Sequence, residues 1–196
     1  MRSIYKIVVC SLLTLSITSC EKDLLEKEQY QKEIYLIGAY NRVWTTEVSY
    51  SNEEVKTYFT VSSSGTLALD RDVNVKMKIN EELVDIYNKK YWTVLNEDKY
   101  YKSLDTDLYS IPSLENTVIK HAEGISAEVP VLIKTASLKI DQSYVIPVEI
   151  ESTTGYPISE SGYKMLILLK LKNDYSGSYQ MSCLLYTSPS PRDRTR

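Results

Sequence analysis

From residue 33 to residue 172, apolar and polar side chains alternate with the two-residue period of strands solvated on one face. The clearest case is Val73-Asn74-Val75-Lys76-Met77-Lys78-Ile79, with Val73, Val75, Met77 and Ile79 on one face and Lys76 and Lys78 on the other. Upstream, residues 34–37 form a short apolar run closed by Gly38, and residues 43–48 and 55–61 follow, the latter ended by Ser62-Ser63-Ser64-Gly65. Downstream, residues 117–121 lead through Ala122-Glu123-Gly124-Ile125, where Gly suits a turn, into a strand over 127–134. Pro130 in that strand and Pro147 in the run 144–150 lack an N–H to donate and predict edge positions or bulges. Residues 163–172, centred on Leu166-Ile167-Leu168-Leu169, are the most apolar segment and predict a central strand.

One helix interrupts the strands. Asn80 suits the N-cap, Glu81 and Glu82 the positive end of the helix dipole, and Lys89 and Lys90 the negative end. Leu83, Ile86 and Tyr87 fall at i, i+3 and i+4, which predicts one apolar stripe and a helix covering an open end of a sheet pair. Short strands with turn signals between them, one helix and no βαβ alternation predict an all-β fold. The expected architecture is an immunoglobulin-like antiparallel β-sandwich with one short helix, and a small open barrel is the alternative.

The two ends follow other rules. Arg2 and Lys6 precede an apolar stretch over 7–17 that is too short to span a bilayer. Ile17-Thr18-Ser19-Cys20 resembles a bacterial lipobox. That resemblance implies a signal peptide over 1–19 and lipidation of Cys20, hence a membrane anchor; a plain secretory signal with a coincidental Cys is the alternative. Glu21-Lys22-Asp23 is similar to the surface-export signals of Bacteroidetes lipoproteins, which implies an outer-membrane, outward-facing location. Residues 20–32 read as a spacer between lipid and domain. Cys183-Leu184-Leu185-Tyr186-Thr187-Ser188-Pro189-Ser190-Pro191-Arg192-Asp193 resembles the conceptual translation of a sequencing adaptor, with a flexible Ser/Pro-rich tail as the alternative. The expectation is a truncated chain: a domain over 33–172, the opening of a second domain over 173–182, and a foreign tail over 183–196.

Charge and composition narrow the chemistry. The 196 residues carry a net charge of -3, but residues 20–182 hold 18 basic and 25 acidic side chains, a net of -7, once Arg2, Lys6, Arg192, Arg194, Arg196 and Asp193 are set aside. An acidic domain with a sequence pI near 5.4 offers no footprint for nucleic acid. Cys10, Cys20 and Cys183 all fall outside the domain, so no disulfide framework is expected and the core must hold the fold alone. His121, the single imidazole, sits in a strand-like run and reads as a solvated or packed side chain. Asp70, Asp72, Asn74 and Glu81 match four calcium-loop offsets, but Val75 stands where the loop needs Gly and the segment alternates like a strand, so no metal or other cofactor is expected. No acidic pair stands out as a glycosidase couple, and no catalytic residue is assigned. Seventeen Tyr against one Phe read as the surface ratio of a β-sandwich, and sugar stacking on aromatic faces is a candidate chemistry only where such residues cluster. Tyr91, Trp92, Tyr100, Tyr101 and Tyr109 gather in the poorly periodic stretch after the helix and are the candidate glycan contacts, although Tyr also suits half-buried strand positions.

Several segments together resemble the N-terminal domain of unknown function 1735 of Bacteroidetes surface lipoproteins. They are Tyr35-Leu36-Ile37-Gly38, the strand 73–79 running into Asn80-Glu81-Glu82-Leu83-Val84-Asp85-Ile86-Tyr87-Asn88, the segment from Thr117 through Gly124, and Tyr144-Val145-Ile146-Pro147-Val148-Glu149-Ile150. The resemblance implies a non-catalytic module of a glycan-utilisation system that serves as scaffold or spacer for a downstream glycan-binding or glycoside-hydrolase domain. Direct carbohydrate binding through loop aromatics is the alternative, and a glycoside hydrolase fragment a distant third. The implied partners are a polysaccharide or glycoprotein glycan and other glycan-uptake proteins.

Overall fold

The computed structural model describes residues 27–172. The signal segment, Cys20, the start of the spacer, the stretch 173–182 and the tail 183–196 lie outside the described residues. Within them the chain forms ten strands, eight from the apolar runs and two short ones from the poorly periodic stretch after the helix: β1 (Ile34–Leu36), β2 (Val43–Ser49), β3 (Glu54–Ser63), β4 (Val73–Ile79), β5 (Lys102–Ser103), β6 (Tyr109–Ser110), β7 (Thr117–Ile119), β8 (Ser126–Lys134), β9 (Tyr144–Thr153) and β10 (Lys164–Lys172). The α-helix, α1, spans Glu82–Tyr91.

The strands form two sheets, one in the order β1-β3-β8-β6 and the other β2-β10-β9-β4-β7, with β5 added on β9. The first order matches the A-B-E-D sheet of an immunoglobulin-type sandwich, and β10-β9-β4 matches its G-F-C sheet. Pairing is antiparallel except where β2 runs parallel to β10 and β5 parallel to β9. The core lies between the sheets, where Phe59, Val61, Val131 and Ile133 from the smaller meet Met77, Ile146, Val148 and Ile167 from the larger. In β4 the predicted face holds, with Val73, Val75 and Met77 buried, Ile79 half-buried, and Lys76 and Lys78 exposed. Each such buried side chain contributes about 1.5–3 kcal/mol by leaving water.

The expected central strand is β10, between β2 and β9. Its near-continuous apolar run is explained by burial of both faces. Met165, Ile167 and Leu169 point into the sandwich core, while Leu166 belongs to a second cluster with Leu83, Val84 and Val145. This corrects the expected place of α1, which packs on the outer face of the larger sheet over β9 and β10 rather than over an open end. The buried stripe is rotated as well: Leu83, Val84 and Asn88 are buried, Tyr87 is half-buried, and Ile86 is 53% exposed. Asn80 caps as expected, its Oδ1 accepting the Glu82 N–H at 3.2 Å.

Two further expectations change. The segment around Gly124 joins no hairpin: β7 pairs with β4 in one sheet and β8 with β3 in the other, so the chain crosses the sandwich there. Pro147 lies in an interior strand, in the gap between β5, which reaches Val145, and β4, whose pairing stops at Val148. Its carbonyl accepts the Asn80 N–H at 3.1 Å where the chain leaves β4 for the helix. Pro130 does face an open edge, because β6 pairs only with Leu132 and Ile133. The end of the expected spacer is tied to the domain: Lys32 Nζ donates to the Ala68 carbonyl at 2.7 Å, and Ser64 Oγ donates to the Gln31 carbonyl at 3.1 Å.

The β1–β2 connection also crosses between sheets. Gly38 has φ +90°, and a Cβ there would meet Trp44 Cε3 at 2.5 Å. A 3₁₀ turn (Ala39–Asn41) follows, and Arg42 takes φ 62°, its N–H bonded to the Ala39 carbonyl at 2.8 Å and its carbonyl accepting the Leu166 N–H at 2.7 Å. Gly38→Ala is expected to destabilise the domain by about 1–3 kcal/mol in chemical denaturation. Leu166→Ala is expected to cost about 2–5 kcal/mol and Ile86→Ala less than about 0.5 kcal/mol. Equal losses at these two positions would mean that α1 presents the stripe expected from its sequence.

Candidate functional site

The candidate site is built on α1 and the segment that follows it. Asn88, buried on the inner side of the helix, donates through Nδ2 to the Tyr101 carbonyl at 2.9 Å and accepts the Tyr101 N–H at Oδ1 at 3.0 Å. This two-bond clasp satisfies a buried amide and fixes the post-helix segment against the helix. It places the Tyr101 ring on Tyr87, with centroids 5.3 Å apart and planes at 11°. Tyr91, one turn further along α1, lies 4.4 Å from Tyr87 at 33°. Three rings therefore form a continuous array, ending at Tyr91, which is 50% exposed and has Lys90 Nζ 5.4 Å from its centroid. Burial, with the neighbouring tyrosines secondary, raises the Tyr87 hydroxyl above its ordinary range.

The five expected contacts do not form one patch. Tyr91 and Tyr101 are brought together through Tyr87, which the sequence pattern assigned to the helix core. Trp92 is half-buried, its indole Nε1 buried without a hydrogen-bond partner, and Lys99 Nζ lies 5.7 Å from its ring. Tyr100 is half-buried where its N–H bonds the Glu97 carbonyl. Tyr109 stands apart on β6 of the other sheet, packed against the main core, and burial raises its hydroxyl. Sequence reasoning also missed a shallow cleft of about 50 Å³ between α1 and β10, lined by Arg42, Leu83, Ile86, Tyr87, Lys90 and Lys164 among others. Arg42 and Lys164 lie more than a hundred positions apart, and no local pattern links them.

Among the described residues no three His, Cys, Asp or Glu side chains gather as a metal site. The acids of the calcium-like spacing turn to separate partners: Asp70 to Arg71 and Tyr156, and Asp72 to His121 Nδ1 at 2.6 Å. Arg71 first, then the Tyr156 hydroxyl, holds Asp70 well below the usual carboxylate range, and His121 does the same for Asp72. Lys76 lowers Glu151, and Lys172 lowers Glu47. These acids serve surface pairing.

A sandwich with its helix laid on the outer sheet and an aromatic array beside it defines a class of β module, and comparison with known proteins says which. A family model described as a "-like, N-terminal domain" matches residues 30–157. The chain belongs to that N-terminal-domain family, and it shares its fold with a solved protein that includes DUF1735. A multidomain protein including DUF1735 from Bacteroides ovatus superposes with TM-score 0.56 at 20% identity, over 70% of this chain and 43% of that one. An auxiliary nutrient binding protein from Bacteroides thetaiotaomicron gives TM-score 0.57 at 16% identity, over 71% and 47%. EndoBT-3987 of the same species, crystallised with a Man5GlcNAc product, gives 0.51 at 20% identity, over 70% and 30%. This chain therefore spans less than half the length of each of these proteins. Among curated proteins nothing matches it.

The lowered carboxylates set an acid limit. A group whose folded pKa lies below its unfolded value stabilises the fold above the unfolded pKa and loses that contribution as pH falls through the folded one. The thermal midpoint is therefore expected to fall as pH drops below about 4, and Asp70→Asn to flatten that fall. A profile level from pH 5 to pH 2.5, or one identical in the variant, would contradict this assignment.

Proposed function

We propose that this chain is a non-catalytic module of a carbohydrate-acquisition protein, anchored at the outer membrane through lipidated Cys20 and supporting a further glycan-binding or glycoside-hydrolase domain. The observation that carries the reading is the recurrence of this sandwich as a minor part of longer Bacteroides proteins, one named for nutrient binding and one holding a glycan product. Anchoring is tested by labelled palmitate: incorporation is expected in the full chain and its loss in Cys20→Ala, and incorporation unchanged by the substitution would refute it.

A specific observation favours a second reading, in which this domain also touches glycan. Tyr91 presents an exposed ring at the end of the array Tyr91–Tyr87–Tyr101, and an aromatic face is what the C–H surface of a sugar ring packs on. Truncating such an anchor costs more than about 1 kcal/mol, or about fivefold in affinity. In affinity gels the wild-type chain is expected to be retarded by a polysaccharide and Tyr91→Ala to migrate faster. Retardation unchanged in a Tyr91→Ala/Tyr101→Ala double variant would remove the domain itself from glycan contact.

A further inference from the structure

We propose that the groove between α1 and the β1–β2 crossover binds an acidic oligosaccharide, one whose pyranose rings carry carboxylates. This rests on the second reading above, that the domain touches glycan, and specifies the class of sugar and the residues that would select it.

The groove consists of two recesses that share Arg42 and Lys164. The first, under α1, is a shallow recess with a cavity volume of about 50 Å³ and also reaches Tyr87 and Lys90. The second, beside the crossover, holds about 210 Å³ and reaches Tyr40, Tyr163 and Glu160. Both are smaller than an enclosed small-ligand pocket, so the groove suits an extended chain lying along it with much of its surface in water.

Three cations, Arg42, Lys90 and Lys164, converge on this groove in a domain whose overall balance is acidic. None makes an ion pair within 4 Å among the described residues; Lys56, Lys78, Lys89 and other surface lysines share that property, and what sets these three apart is that they line one recess. Glu160 lines the second recess without pairing to either shared cation, and it would disfavour a ligand with charge at that end. Lys90 and Lys164 lie instead over tyrosine rings, Lys90 over Tyr91 at 5.4 Å and Lys164 over Tyr163 at 4.8 Å. Cations held beside aromatic faces, unneutralised, leave their remaining donors directed to whatever enters.

Arg42 adds a separate observation. It is the one non-glycine residue among those described with positive φ, and its backbone is pinned by Ala39 on one side and Leu166 on the other. A side chain in that conformation persists only where the surrounding structure enforces it, and here the enforcement comes from both the 3₁₀ turn and β10. The result is a guanidinium carried on a rigid crossover at the junction of the recesses. Guanidinium is the cation best matched to a planar carboxylate, which it meets with two parallel hydrogen bonds. The rim beside the cations carries Ile86, 53% exposed, and Tyr87 over the buried Leu83 and Leu166, and suits the C–H face of a sugar ring whose carboxylate turns to the cations.

The experiment is calorimetric titration of the full chain with oligogalacturonate and with a neutral malto-oligosaccharide of equal length. Oligogalacturonate is expected to bind, and Arg42→Gln/Lys164→Gln to weaken it by about tenfold or more, the scale of one lost charge-assisted pair. Raising NaCl from 50 to 500 mM is expected to weaken binding similarly, since exposed charges are screened. Lys120→Gln, which removes a cation paired elsewhere, is expected to change nothing, and Lys164→Arg to retain binding. If Arg42→Gln lowers the thermal midpoint, Lys90→Gln/Lys164→Gln decides in its place. Oligogalacturonate binding that is absent, or unaffected by these variants, overturns the proposal. A neutral sugar bound with dependence on Tyr91 while oligogalacturonate is not would leave the glycan-contact reading standing and sink this one; no binding of either sugar sinks both.

Discussion

The architecture depends on a strand that is apolar on both faces. Met165, Ile167 and Leu169 of β10 fill the sandwich interior, which any two-sheet fold would provide for. Leu166 is 2% exposed on the opposite face, where a sandwich normally meets water. That face needs a cover, and α1 supplies it with Leu83 and Val84 while β9 contributes Val145. Burying Leu166 against them is worth a few kcal/mol, a large share of the net stability of a domain this size. The helix is therefore held on the sheet by the hydrophobic effect, and the polar Asn88–Tyr101 clasp then sets where the chain goes next. The tyrosine array, the cleft and the positions of Lys90 and Tyr91 all follow from that one requirement.

Much of this is legible along the chain, for reasons that differ by element. In β4, one residue in two is apolar and the other is Lys or Asn, so strand, face and solvent exposure can be read together. In β10 the unbroken apolar run announces burial on both sides without saying what supplies the second cover. The helix shows where local pattern ends: Leu83–Ile86–Tyr87 and Leu83–Val84–Tyr87 are equally good stripes on one helical wheel. The choice is made by Val145 and Leu166 below, and by an Asn that would be ruled out of a core stripe unless Tyr101 met both ends of its amide. β5 and β6 are two residues long and carry no period at all. Arg42 is invisible for another reason, because its importance lies in a backbone conformation imposed by β10, more than a hundred residues later.

The surface tells a related story about charge. Most of its ion pairs are exposed, and such pairs contribute little individually. Their effect is to neutralise the acidic excess locally, while Arg42, Lys90 and Lys164 are grouped along one recess without a carboxylate partner. The same crossover that lets the chain change sheets also sets Arg42 beside Lys90 of the helix and Lys164 of β10. One topological step thus joins the two recesses of the groove.

The pairing of β2 with β10 has a mechanical meaning. The two strands run in the same direction through seven consecutive residue pairs, from Val43 opposite Leu166 to Ser49 opposite Lys172. The chain enters β2 from the amino-terminal side and leaves β10 toward the carboxyl-terminal side. Tension between those two sides would slide the strands past one another in shear, so that the whole ladder resists at once instead of unzipping bond by bond. Force applied across the domain would first have to free β1 from β3, and the β2–β10 ladder would then bear it in shear.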